Sequence, residues 1–263
     1  KAATDNVTDS SVTLNANQAL ASATANSANN SISLAATDLT LPNTGLASLQ
    51  ALSASDLTAK VNDSSAFGLG VVTRVADTAQ IAVTNNIIRA AALGNVVSNS
   101  VAFTGTNITG SSVDFVAPTV STSTAGSTVT VPASMALANL QTSSANALSA
   151  TVGISSGATA VTLTSGNVLD ASALSLTGNT LASQVYNNEA SNSLAMNATN
   201  INDITAALAS GQSVSEVDLT ARTDGLVKIT AGTVSNSAVT ASTNSVKSTV
   251  VGNMANNTLS FTA

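Results

Sequence analysis

The sequence predicts an all-β chain folded as a parallel β-solenoid (β-helix) of about eight three-sided coils, each of roughly 33 residues, with incomplete coils at both ends. Three observations predict it. Asparagine recurs as a fixed triplet along the chain. Apolar and polar residues alternate between those asparagines. The composition lacks the bulky side chains that a thick core needs.

Repeats come first, because a missed repeat misassigns the whole fold. Four segments, NQALASATANSANNSISL, NIIRAAALGNVVSNSVAF, NTLASQVYNNEASNSLAM and NSVKSTVVGNMANNTLSF, carry Asn at offsets 0, 9 and 13. The triplets are Asn17/Asn26/Asn30, Asn86/Asn95/Asn99, Asn179/Asn188/Asn192 and Asn244/Asn253/Asn257. Ala19, Ile88, Leu181 and Val246 share offset 2, and Leu34, Phe103, Met196 and Phe261 share offset 17. Alternation with a period of two means strands with one buried face. Each copy therefore reads as strand, Asn-marked turn, strand. Weaker copies start near Leu52 and at Asp114, Asn146 and Gln212, and the whole series sets a unit of about 33 residues. Asp38, Asn107, Asn167 and Asn200, all at offset 21, mark a third corner, which makes each coil three-sided.

Asn suits such corners because it tolerates left-handed backbone geometry and bonds its own backbone. Stacked at one corner of successive coils, Asn amides also bond one another along the axis. Small residues between the triplets, such as Ala21, Ala90, Ser183, Ala25, Gly94 and Gly252, fit a narrow interior. Two similar stretches, Leu46–Gln50 and Leu137–Gln141, each follow a Pro (Pro42, Pro132) and are read as short helical turns at coil corners. Helical periodicity is not sustained anywhere, which disfavours a globular α/β alternative.

The organisation follows: residues 1–16 form an N-terminal part-coil, 17–243 the solenoid body and 244–263 a C-terminal part-coil. Ser11–Leu14 falls where Leu174–Leu176 falls relative to the next Asn, so it reads as the third side of a coil. The segment Thr258–Ala263 is apolar, alternating and uncharged, a strand edge without a polar cap. Val12, Leu14, Leu259 and Phe261 are the expected assembly contacts, with head-to-tail strand pairing between copies of the chain.

Composition narrows the chemistry. The 263 residues carry a net charge of −6, only 8% are charged and 2% aromatic, and Cys, His and Trp are absent. That removes zinc fingers, haem and iron–sulfur ligation, thiol nucleophiles, Ser-His-Asp triads and disulfides. Seven Lys and Arg argue against a nucleic-acid surface. A mean hydropathy of +0.32 argues against disorder. No apolar run approaches the ~20 residues of a membrane span. The expectation is no enzyme activity, no cofactor, no metal and no catalytic residue. Abundant Ser, Thr and Asn without Cys favour an extracellular or cell-surface location, with surface glycans as a possible partner beside the chain itself.

Glu216 and Asp218 lie two apart on an expected strand, as in carboxylate clusters of polysaccharide-cleaving β-helices. A local bulge with Val217 and Leu219 facing inward accounts for them better. Glu189 and Arg222, 33 apart, are expected to meet across neighbouring coils as an exposed ion pair. Asn200–Asp203 offers oxygen ligands for Ca²⁺, but reads more simply as a turn. The Ser121–Thr124 run lacks a counterpart in register. Asn6, Asn107 and Asn197 match glycosylation acceptors, as an Asn- and Thr-rich chain does by chance.

Strand–turn–strand units such as Val250–Asn257 resemble those of bacterial surface β-solenoids, namely curlin-type fibre subunits and filamentous-haemagglutinin-type adhesins. The unit is longer than the curlin repeat and lacks its regular Gln positions. The resemblance implies an extracellular fibre or adhesin active in biofilm or surface attachment; no functional residue is carried over.

Overall fold

Alternation leaves each strand with one apolar face, and parallel stacking buries that face from coil to coil. The computed structural model describes residues 2–41, 44–53, 56–61, 67–110, 119–121, 128–130, 135–144, 147–153 and 159–263. The first coil contains β1 (Ala2–Thr8), β2 (Ser11–Asn15), β3 (Gln18–Leu41), β4 (Thr44–Ser53) and β5 (Leu57–Val61). The second contains β6 (Phe67–Ala76), β7 (Gln80–Thr84), β8 (Ile87–Gly110), the short β9 (Thr119–Ser121) and β10 (Thr128–Thr130), then β11 (Met135–Ser144) and β12 (Ala147–Val152). The third contains β13 (Thr159–Val168), β14 (Ala173–Thr177), β15 (Thr180–Asn202), β16 (Ala206–Val214) and β17 (Asp218–Thr223). The fourth contributes β18 (Leu226–Thr230), β19 (Ala238–Ser242) and β20 (Ser245–Thr262).

These strands form five parallel sheets. Sheet A is β1-β6-β13-β18, sheet B β2-β7-β14-β19 and sheet C β3-β8-β15-β20. Sheet D is β4-β11-β16 and sheet E β5-β12-β17. The chain is thus all-β and a parallel β-solenoid. No helix occurs among the described residues.

The coil is larger than the sequence unit. Stacked asparagines lie 69, 93 and 65 residues apart, so one coil holds two or three of the expected units. The stack has four levels and five sheets, in place of eight three-sided coils. A period of two reveals which face of a strand is buried, but not which strand lies beside it. The strong Asn copies stack on one another, whereas the weak copies occupy other sheets. Asn167, expected with Asp38, Asn107 and Asn200, pairs with Arg74 in sheet A. Asp114 lies outside the described residues, and Val120 and Val129 from the same expected copy pair antiparallel with each other. Strands β1 and β2 join sheets A and B, at the level where β3, β4 and β5 join sheets C, D and E.

Sheet C bends twice. Pairing skips Gly94 and Asn187 at one bend and Thr106 and Thr199 at the next. The inward parity changes there: Ile88, Ala90 and Ala92 are buried before the first bend, then Asn95, Val97, Asn99, Val101 and Phe103 after it. The bends divide the interior into two lobes. One packs Val75, Ile81, Ile88, Leu148, Leu163, Leu174 and Leu181; the other packs Val101, Phe103, Ile108, Met135, Leu137, Leu194 and Met196. Strands β9 and β10 lie against β4, β11 and β16. Ala136, Ala138 and Leu140 form a small third cluster on sheet D.

The two stretches read as helical turns are strands. Leu46–Gln50 pairs residue for residue with Leu137–Gln141 in sheet D. Their similarity is that of stacked neighbours, and parallel pairing accounts for it without a helix.

Candidate assembly surfaces and asparagine ladders

All twelve predicted asparagines stack, in three rows. In the first, Asn17 Nδ2 donates to Asn86 Oδ1, Asn86 to Asn179 and Asn179 to Asn244, each at 2.9 Å. In the second, Asn26 donates to Asn95 at 2.7 Å, Asn95 to Asn188 at 2.8 Å and Asn188 to Asn253 at 2.7 Å. The third links Asn30 to Asn99 at 2.9 Å, Asn99 to Asn192 at 2.8 Å and Asn192 to Asn257 at 2.9 Å. The six asparagines of the middle coils are buried. Buried amides are tolerated only when satisfied, and here the second amide hydrogen also finds a partner in the first two rows. Asn26, Asn95 and Asn188 give it to the carbonyls of Ala51, Thr142 and Ser213 across the coil.

The ladders therefore do two things. They hold successive coils in register, and the second row ties sheet C to sheet D at a polar waist between the lobes. None of the twelve has a left-handed backbone. Beside the first row that role falls one residue earlier, to Ala16, Asn85, Gly178 and Thr243, whose φ values are 56, 54, 67 and 53°.

One ladder, of glutamines, had no counterpart in the predicted rows. Gln212 Nε2 donates to Gln141 Oε1 and Gln141 Nε2 to Gln50 Oε1, both at 2.7 Å. Gln141 also reaches the carbonyls of Asn95 and Glu189, at 3.1 and 3.0 Å, so it closes the waist from the sheet D side. The likeness of Leu46–Gln50 to Leu137–Gln141 already aligned Gln50 with Gln141. Three of the four residues expected at the third corner also stack, in a shorter exposed row from Asn200 to Asn107 to Asp38.

The four expected assembly residues fall on opposite ends of the stack. Val12 and Leu14 lie on β2, in the rows of Leu174 and Leu176, as the spacing of the two segments implied. Leu259 and Phe261 lie on β20, in the rows of Leu194 and Met196. The interior rows open at both ends. Phe103 and Met196 are 1% exposed, but Phe261 is 48% and Leu34 44% exposed in the same row. Val246, Val250 and Leu259 are similarly half-exposed on β20.

Other candidates resolve differently. Glu216 occupies a left-handed turn, φ 54°, ahead of β17, so it shares no strand face with Asp218. Val217 and Leu219 do pack against the core. Arg222 pairs with Asp224 and not with Glu189, which stacks between Val96 and Met254. Asn200 sits in the short exposed row and Ile201 packs inward, while Asp203 turns the chain at φ 52°. Thr122 to Thr124 lie outside the described residues. Among the described residues no group of three or more acidic, His or Cys side chains is placed to hold a metal, and no helix is long and apolar enough to cross a membrane. A shallow groove crosses all four coils on the outer face of sheet C, beside the row Ser27, Val96, Glu189 and Met254. Comparison with protein-family models, curated proteins and solved structures finds no match.

Proposed function

We propose that this protein is a non-enzymatic structural subunit that assembles head-to-tail by strand pairing into extracellular filaments, serving a biofilm matrix or surface attachment. One observation carries the reading: the same interior rows emerge half-exposed at both ends of the stack. An unpaired sheet edge is a template for another chain, and a contact between two different surfaces that does not close generates a filament. In this contact β18, β19 and β20 meet β1, β2 and β3 of the next copy, which extends sheets A, B and C. Sheets D and E end at β16 and β17, one level earlier, and each keeps one open strand position. Val12 and Leu14 then cover Val239 and Ala241, and Leu259 and Phe261 cover Ile32 and Leu34.

A second reading is a surface adhesin or glycan-binding solenoid within a larger protein. The groove across the four coils favours it, because it offers a linear ligand one continuous axial track. A polysaccharide-cleaving activity has less support, since Glu216 and Asp218 do not share a face. Negative-stain electron microscopy of the purified chain decides between the first two. Fibres of uniform width are expected, and loss of fibres on deleting Leu259–Ala263. Fibres from the deleted form contradict the proposal; isolated rods that retain glycans support the adhesin reading.

A further inference from the structure

Resting on the head-to-tail reading, we infer that the asparagine rows give the assembly a direction: Asn253 and Asn257 of one copy donate to Asn26 and Asn30 of a second copy. In all three rows the Nδ2 of one coil donates to the Oδ1 of the next, always from the first coil toward the fourth. Backbone groups enforce this orientation in two of the rows. The Oδ1 atoms of Asn86, Asn179 and Asn244 also accept the backbone N–H of Asn17, Asn86 and Asn179, at 3.1, 3.1 and 3.0 Å. In the second row the Nδ2 atoms of Asn26, Asn95 and Asn188 also donate to carbonyls of sheet D. A flipped amide would set N–H against N–H, or oxygen against oxygen.

The two ends of the stack therefore differ chemically. Among the described residues, the Oδ1 atoms of Asn17, Asn26 and Asn30 accept no hydrogen bond, and the Nδ2 atoms of Asn253 and Asn257 donate none. One end offers acceptors and the other donors, at the same spacing along β3 and β20. Two like ends leave donors facing donors, and a twofold contact between them also reverses the strand direction. Unlike ends continue every row. The apolar rows agree, with Val246 over Ala19, Val250 over Ala23, Leu259 over Ile32 and Phe261 over Leu34. The glutamine row and the Asn200–Asn107–Asp38 row point the opposite way, but neither continues onto the fourth coil: the first lies in sheet D, which ends one level short of the contact, and the second stops at β15.

The variant Asn253→Asp with Asn257→Asp tests the inference. Each Asp still accepts from Asn188 or Asn192, so the subunit keeps its internal bonds. It loses the outward donors and sets carboxylate oxygens against acceptors. The control Asn256→Asp with Ser260→Asp adds the same charge to the outward face of β20. Thermal unfolding by circular dichroism should match wild type for both, and sedimentation should show the critical concentration for fibres rising about tenfold or more for the first variant alone. Fibres from the first variant at the wild-type concentration overturn the inference. An equal rise in the control also overturns it, because charge alone would then explain the effect. Wild-type protein that forms no fibres overturns the head-to-tail reading itself.

Discussion

At the residue scale, the first bend of sheet C sets a steric test. Ala25, Gly94, Asn187 and Gly252 occupy this corner on successive coils, where pairing is skipped. A Cβ on Gly94 would collide with the carbonyl oxygen of Asn187 and lie 2.9 Å from its Oδ1. On Gly252, at the open end of the same column, it would meet nothing within 4 Å. Gly94→Ala should therefore cost about 1–3 kcal/mol, whereas Gly252→Ala should stay within about 0.5 kcal/mol. Urea denaturation compares them, and equal midpoints would refute the account. The recurrence of all twelve ladder asparagines was legible in the sequence, because fixed offsets survive whatever the coil length is. Their backbone role was not. Recurrence shows that a position matters without showing whether its φ or its amide is used, and the left-handed residues Ala16, Asn85, Gly178 and Thr243 share no common side chain that would flag them.

At the scale of elements, the waist couples sheet D to sheet C. Gln141 is fully buried, and its Nε2 serves Gln50, Asn95 and Glu189 together, while its Oε1 accepts from Gln212. Gln141→Met keeps length and volume but leaves these partners unsatisfied in a buried setting. The expected cost is about 2–4 kcal/mol. Hydrogen exchange by mass spectrometry should show β11 and β16 opening faster, with β7 and β14 changed least, since the latter lie in the other lobe. Uniform acceleration, or none, would mean that Gln141 does not specifically tie sheet D to sheet C. Sheet D also shows where element type escapes the sequence. Leu46 and Gln50 are four apart, as are Leu137 and Gln141, a spacing that suits one helical turn as well as a strand. Short apolar stretches do not separate the two; only the residue-for-residue match between distant segments pointed to stacking.

At the scale of the whole molecule, the parallel solenoid followed from the alternation and the lack of bulky residues, but the coil length did not. Averaging strong and weak copies gave about 33 residues, whereas the strong triplets alone are spaced by 69, 93 and 65, which are the coil lengths. Strands half a coil apart carry the same alternation because both face one narrow interior. The larger coil has a kinetic consequence. Apart from the β9–β10 pair, every paired strand among the described residues has neighbours from other coils, so ladder formation requires closing long loops. Loop closure precedes any reward from parallel pairing, and non-local sheets fold slowly for that reason. The first pair of coils to form should limit the rate, with later coils adding onto an existing edge. Refolding from urea, followed by stopped-flow circular dichroism at concentrations too low for fibres, should therefore take about a second or longer. Full recovery of strand signal within about 10 ms would contradict this, because only local hairpin contacts form on so short a timescale.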